Sequence, residues 1–212
     1  MGNSEIILPA GHEDGVVSLW DVRKKGLAEK VQFDEQSDYI SDMCYNSSTE
    51  SLVSTCGDGT LAVYDLRKSK FIERSDDTAD DDLLCCTMAK GFSKIVVGSQ
   101  EGVMNLFSWG HFEDCSDRHR TGHPDSIDCM VSYSDSQVVT GCGDGVVRLV
   151  SVLPNRVQAE IGHMGEGGNV HCVALSWDNA VLAAGSDTEQ LTLWSTKGLE
   201  EQVQVQEGDE GA

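Results

Sequence analysis

Apolar side chains in this chain recur every second residue, in short runs broken by glycine, aspartate, asparagine and serine. Alternation of this kind puts one side chain of each pair on a buried face and the next in water, which predicts strands, not helices. Residues 126–161 show the unit well. Ser126-Ile127-Asp128-Cys129-Met130-Val131 reads as a strand, and Gln137-Val138-Val139-Thr140-Gly141 as a second. The Asp144-Gly145 pair is a strong hairpin signal. Val146-Val147-Arg148-Leu149-Val150 follows it, then Arg156-Val157-Gln158-Ala159-Glu160-Ile161. A sustained helical period is absent from the sequence.

The unit repeats. A turn, an apolar alternation and a closing bulky residue occur around Trp20, Tyr64, Phe107, Val150 and Trp194, spaced 44, 43, 43 and 44 residues apart. That period resembles the WD repeat, in which about 40–45 residues build one four-stranded propeller blade. Gly122-His123 and Gly162-His163 resemble the Gly-His that opens such a repeat, and Trp20-Asp21 the Trp-Asp that closes it. The resemblance implies an all-β, WD40-type β-propeller of four-stranded antiparallel blades. Blades are expected at 4–34, 38–75, 82–118, 122–162 and 163–197, with an acidic, disordered tail over 198–212. The first repeat starts at its second strand, Glu5-Ile6-Ile7-Leu8, and the fifth ends near its third, Gln190-Leu191-Thr192-Leu193-Trp194. About four and a half to five blades are therefore expected, as part of a ring that in this family usually has seven. In the family a His, a Ser or Thr, the turn Asp and the Trp form a hydrogen-bond network within a blade. On that basis Asp58, His123, Asp144, His163 and Trp194 are structural repeat residues here. The fourth blade offers His123, Thr140 and Asp144 with Val150 in place of Trp; the fifth offers His163, Ser186, Asp187 and Trp194. The second lacks the His.

Charge narrows the partners. With 36 Asp and Glu against 15 Lys and Arg, the net charge is −21. Binding to bare nucleic acid rests on cations that neutralise phosphates, and anionic membrane needs the same, so neither is expected. Basic proteins are the natural partners, held in a salt-dependent way. Of the eight cysteines, Cys44, Cys86, Cys129 and Cys172 fall inside apolar runs, as reduced, buried cysteines do. Their strands are expected to be the innermost of each blade, with Asp58 and Asp144 in tight turns between second and third strands. With no disulfide expected, no apolar run near the roughly 20 residues of a membrane span and no signal peptide, the reading is a soluble intracellular protein.

Catalytic motifs are missing: no Gly-Lys-Ser/Thr, no Gly-x-Ser-x-Gly and no Cys-x-x-Cys occur. His111, Cys115, His119 and His123 are spaced four apart, a zinc-like pattern only on a helix. Gly110, Gly122 and Pro124 make that segment a loop instead. No enzyme, cofactor, metal or small-molecule substrate is expected.

More specific segments narrow the family. Asp38-Tyr39-Ile40-Ser41-Asp42-Met43, Ser54-Thr55-Cys56-Gly57-Asp58-Gly59, Ser108-Trp109-Gly110, Asp114-Cys115-Ser116-Asp117-Arg118, Ser126-Ile127-Asp128-Cys129-Met130 and Leu153-Pro154-Asn155-Arg156-Val157 together resemble the WD repeat-containing protein 55 family. The resemblance implies a scaffold in ribosomal RNA processing and ribosome biogenesis. Its place would be the nucleus and nucleolus, with the cytoplasm as a further location. Its partners would be basic pre-ribosomal factors. An alternative rests on Trp20-Asp21-Val22-Arg23, which resembles the box of cullin–RING ubiquitin-ligase substrate receptors; Trp20, Asp21 and Arg23 would then meet the ligase adaptor.

Overall fold

The computed structural model describes residues 7–22, 28–77, 81–120, 122–165, 167–197 and 199. They form five antiparallel sheets in chain order. The first has three strands, β1 (Ile7–Gly11), β2 (Val16–Asp21) and β3 (Ala28–Asp34). The second has β4 (Ile40–Asn46), β5 (Ser51–Cys56), β6 (Leu61–Asp65) and β7 (Lys70–Arg74). The third has β8 (Leu83–Ala89), β9 (Lys94–Ser99), β10 (Met104–Ser108) and the short β11 (Asp117–His119). The fourth has β12 (Ile127–Ser134), β13 (Gln137–Cys142), β14 (Val146–Ser151) and β15 (Arg156–His163). The fifth has β16 (Val170–Leu175), β17 (Val181–Ser186) and β18 (Leu191–Ser195). Among the described residues the first and fifth sheets have three strands each, the first matching the second to fourth strands of a blade and the fifth the first to third. Among the described residues no sheet covers the third-strand side chains Leu191 and Leu193 of the fifth sheet, which are exposed where their counterparts in the other four sheets are buried, so the described residues form a propeller arc.

Strands β4, β8, β12 and β16 sit at one edge of their sheets and pack side by side, which makes them the strands nearest the axis. Cys44, Cys86, Cys129 and Cys172 lie on them. All eight cysteines are free.

The core is divided into seams between successive sheets. Val17 and Leu19 of the first sheet meet Leu52, Ala62 and Tyr64 of the second. Val53, Leu61 and Val63 then meet Leu83, Ile95 and Phe107. Met104 and Leu106 meet Ile127, Met130 and Val138. Val147 and Leu149 meet Met164, Val170 and Leu182. Each side chain of this kind contributes about 1.5–3 kcal/mol when fully buried. Alternation along the third strand therefore has two buried faces: Leu149 points forward into the next blade while Val150 points back.

Turns between second and third strands need a left-handed residue two places before the third-strand seam position. Gly15, Gly59, Gly102 and Gly145 fill it with φ of +83°, +78°, +71° and +77°. Glu189 occupies the same place in the fifth sheet at +59°. Asp58 and Asp144 lie in these turns, between β5 and β6 and between β13 and β14. Of the expected tail, Leu199 is described: it is buried, and its N–H donates to the Thr196 carbonyl at 3.2 Å. The remaining tail residues lie outside the described residues.

Candidate interaction surface

An up-and-down blade places its first–second and third–fourth connections at one end and the other connections at the opposite end. The two ends here differ in charge. The end that carries the second–third turns and the loops between blades exposes Glu13, Asp14, Asp38, Asp76, Asp77, Glu101, Asp125, Asp187 and Glu189. All described lysines lie on or near the other end: Lys30, Lys68, Lys70, Lys90, Lys94 and Lys197. Alternation along the strands does not report this polarity; the turn positions do.

Several carboxylates at the acidic end are held by the fold. Asp58 accepts the Ser37 N–H at 2.8 Å and the Thr60 hydroxyl at 2.6 Å. Burial raises its pKa, but these bonds outweigh burial and hold the carboxyl below the usual range. Buried Asp81 accepts the Glu101 N–H at 3.0 Å and pairs with Arg118 at 3.3 Å. Asp38, Asp125 and Asp187 each accept a backbone N–H, from Tyr39, Ser126 and Asn169. These bonds fix the backbone that carries the acidic surface. The opposite end has an apolar hollow of about 500 Å³ whose lining includes Cys44, Met88 and two partly exposed aromatics, Tyr45 and Phe92.

Beneath the acidic end lie the blade networks. His123 is buried, and its Nε2 lies 3.1 Å from Thr140 Oγ1. Burial and the Arg148 guanidinium push its pKa down to about 4, so the ring is neutral at pH 7. Asp144 turns to Arg148, with two bonds of 3.0 and 2.6 Å, while also accepting the Val146 N–H at 3.1 Å. Arg148 is thus the fourth partner of this blade, in a structure where Val150 fills the usual Trp position. In the second blade Gln36 stands four residues ahead of the inner strand, as His123 does in the fourth. It accepts from Ser54 Oγ at 2.5 Å and donates to the Thr60 carbonyl at 3.0 Å. Counting back four residues from each inner strand finds both Gln36 and His123; a search for Gly-His finds only one.

In the fifth blade that count falls on Glu166, outside the described residues. His163 ends β15, exposed, with Nε2 3.8 Å from Glu160. Ser186 Oγ bonds Thr188 and Asp187 faces His171 at 4.0 Å, so His163 is not brought to either. Trp194 packs back onto Gly162, where an added Cβ would come within 2.4 Å of its indole nitrogen. In the first blade Asp21 is buried at 4% exposure, which gives the Trp20-Asp21-Val22-Arg23 box no exposed carboxylate; Arg23 lies outside the described residues.

His111, Cys115 and His119 do not converge with His123. The Cys115 thiol donates to the Asp117 carbonyl at 3.0 Å. Among the described residues no group of three or more His, Cys, Asp or Glu is placed to hold a metal. Burial pushes the thiols of Cys85 and Cys129 upward, so they stay protonated.

The family model described as "WD domain, G-beta repeat" matches residues 29–65, 115–151 and 155–195. The chain belongs to the WD-repeat family. It is similar to WD repeat-containing protein 55 of Arabidopsis thaliana, 34% identical over 97% of this chain and 57% of the relative. The Homo sapiens protein of that name is 36% identical over 92% of this chain and 50% of the relative. WD repeat-containing protein JIP5 of Laccaria bicolor is 38% identical over 76% of this chain and 40% of the relative. The chain thus spans about half the length of the curated relatives it matches. WD repeats as a class indicate protein–protein interaction.

Proposed function

We propose that this chain is a non-enzymatic scaffold that holds basic protein segments against its acidic end, in ribosomal RNA processing and ribosome biogenesis. The carrying observation is an imbalance of charge: exposed carboxylates outnumber the exposed Arg74, Arg118 and Arg120 at one end, while the described lysines lie on or near the other, among the fewer carboxylates Glu50, Asp135 and Asp178 of its first–second turns. Such a field speeds encounter with a cationic partner and orients it, more than it raises final affinity. The biological setting, and with it the nucleolus, nucleus and cytoplasm as locations, is what the resemblance of the segments quoted above to the WD repeat-containing protein 55 family implies.

The test is affinity purification of the tagged chain at low and moderate salt. Basic ribosome-assembly factors are expected, with recovery falling as salt rises. A variant carrying Glu13→Gln, Asp76→Asn, Asp125→Asn and Glu189→Gln is expected to lose most of them. Lys68→Gln with Lys90→Gln, at the other end, is expected to leave recovery unchanged. Equal recovery by the two variants refutes the assignment to the acidic end, and absence of such factors at every salt concentration refutes the setting.

A further inference from the structure

One turn between a first and a second strand differs from the others. Between β8 and β9 three successive residues, Lys90, Gly91 and Phe92, take left-handed φ of +52°, +60° and +65°. The corresponding turn has one such residue in the second sheet, Glu50, one in the fifth, Asn179, and none in the fourth. A bulky side chain is disfavoured in that region and persists only where its surroundings hold it. Here both neighbouring blades do so. The Lys90 N–H donates to the Asp135 carbonyl at 2.7 Å, and the Gly91 N–H to the Asp135 carboxylate. From the other side the Asn46 side-chain amide donates to the Phe92 carbonyl at 3.4 Å. Within the turn Ser93 Oγ donates to the Lys90 carbonyl at 2.6 Å.

The turn so held sets Phe92 at the hollow of about 500 Å³ described above. Phe92 and Tyr45, 39% and 49% exposed, both line it, and Cys44, Met88 and Ala89 add further apolar surface. The lining comes from the second, third and fourth sheets, each of which has its four strands in place. Asp135 is the one charged residue in that lining. One of its carboxylate oxygens takes the Gly91 N–H, and the other has no protein hydrogen bond among the described residues. Lys94, after the turn, points elsewhere, its Nζ donating to Ser108 Oγ at 2.7 Å.

We propose that this hollow receives a short segment of another protein, which places one bulky apolar side chain against Phe92 and Tyr45 and a Lys or Arg against Asp135. Two exposed aromatics beside an adaptable methionine suit an apolar anchor of varied shape. Charge complementarity selects the second feature: a carboxylate is the sole charge in the lining, on a chain whose net charge is −21. The same net charge opposes a second copy as occupant. Residues 200–212 of this chain carry five carboxylates and no cation, so Asp135 repels them as well. The site lies at the end opposite the acidic turns, and the inference is independent of what those turns hold. Burial of the anchor supplies most of the binding, so moderate salt weakens it little.

The test selects heptapeptides from a phage-displayed random library on the full chain in moderate salt, and measures synthetic copies of the enriched ones by fluorescence anisotropy. Enriched peptides are expected to share a bulky apolar residue close to a Lys or Arg. Bound peptide should slow alkylation of Cys44, which lines the hollow, and leave that of the exposed Cys172 unchanged. Phe92→Gly suits the left-handed backbone, so it removes the ring without endangering the fold. It and Tyr45→Ala should each weaken binding at least about tenfold with unchanged circular dichroism. Asp135→Asn keeps an acceptor for the Gly91 N–H; it should weaken binding about fivefold and remove the preference for Lys or Arg over Gln in the peptide. The variant with Glu13→Gln, Asp76→Asn, Asp125→Asn and Glu189→Gln should bind these peptides as the unaltered chain does. Enrichment of no peptide, or of peptides without a cation, overturns the proposal. So does full binding by both aromatic variants, or undiminished alkylation of Cys44. Self-association of the chain that Phe92→Gly abolishes, or peptide binding that tightens at least tenfold once residues 200–212 are removed, overturns the choice of occupant.

Discussion

Asp144 and Arg148 offer the sharpest test of how the fourth blade is held. Arg148's side chain is 8% exposed and meets Asp144 in a two-bond clamp of 2.6 and 3.0 Å. Asp144→Ala strips a buried guanidinium of that partner and removes the bond to the Val146 N–H. Removing one member of a buried pair costs about 3–5 kcal/mol. Glu160 lies 3.7 Å from Arg148 but is half exposed, so it recovers part of this and places the expected loss near the lower bound, about 3 kcal/mol. Replacing both members behaves differently. Asp144→Asn with Arg148→Met keeps the turn acceptor and buries a flexible apolar chain, and should stay within about 1 kcal/mol of the unaltered protein. Glu101→Ala is the control, because it breaks the exposed Arg120–Glu101 pair and should cost less than about 1 kcal/mol. Urea unfolding gives the free energies, and hydrogen exchange on β13 and β14 assigns them to this blade. The reasoning fails if Asp144→Ala costs no more than Glu101→Ala, or if the double variant is as unstable as the single one.

His123 carries a pH dependence. Its folded pKa of about 4 lies below the ordinary 6.5, so the unfolded chain takes up a proton first as pH falls. Its contribution is therefore complete above 6.5 and lost between 6.5 and about 4, with an upper limit of about 3 kcal/mol. His123→Gln, which installs the residue found at Gln36, should flatten that part of a stability–pH curve; an unchanged slope counts against the assignment. At the turns, Gly145→Ala places a Cβ 2.4 Å from the Gly168 carbonyl at a left-handed φ. Since left-handed backbone alone costs an ordinary residue roughly 1–2 kcal/mol, a loss of at least about 2 kcal/mol is expected in urea unfolding. Glu189→Gly should instead relieve the fifth turn by up to about 1 kcal/mol, and a loss there would contradict the strain argument.

Strand positions, the five-sheet order and the turn places of Asp58 and Asp144 were legible from the chain, because alternation and turn chemistry are local properties of the backbone. The repeat length added the family, since a 43- or 44-residue period is one supersecondary unit repeated. Network membership was not legible. Gln36 carries no Gly-His signature, yet its distance from the inner strand places it where His123 sits. His163 carries the signature, but its β15 register leaves it on the surface. Arg148 reads as one polar residue in an apolar run, and only the β13–β14 hairpin brings it onto Asp144. Leu191 and Leu193 alternate with polar residues as Val147 and Leu149 do, and yet the first pair faces solvent and the second is buried. Alternation states which side of a sheet a residue takes; what lies on that side depends on a neighbouring blade some forty residues away.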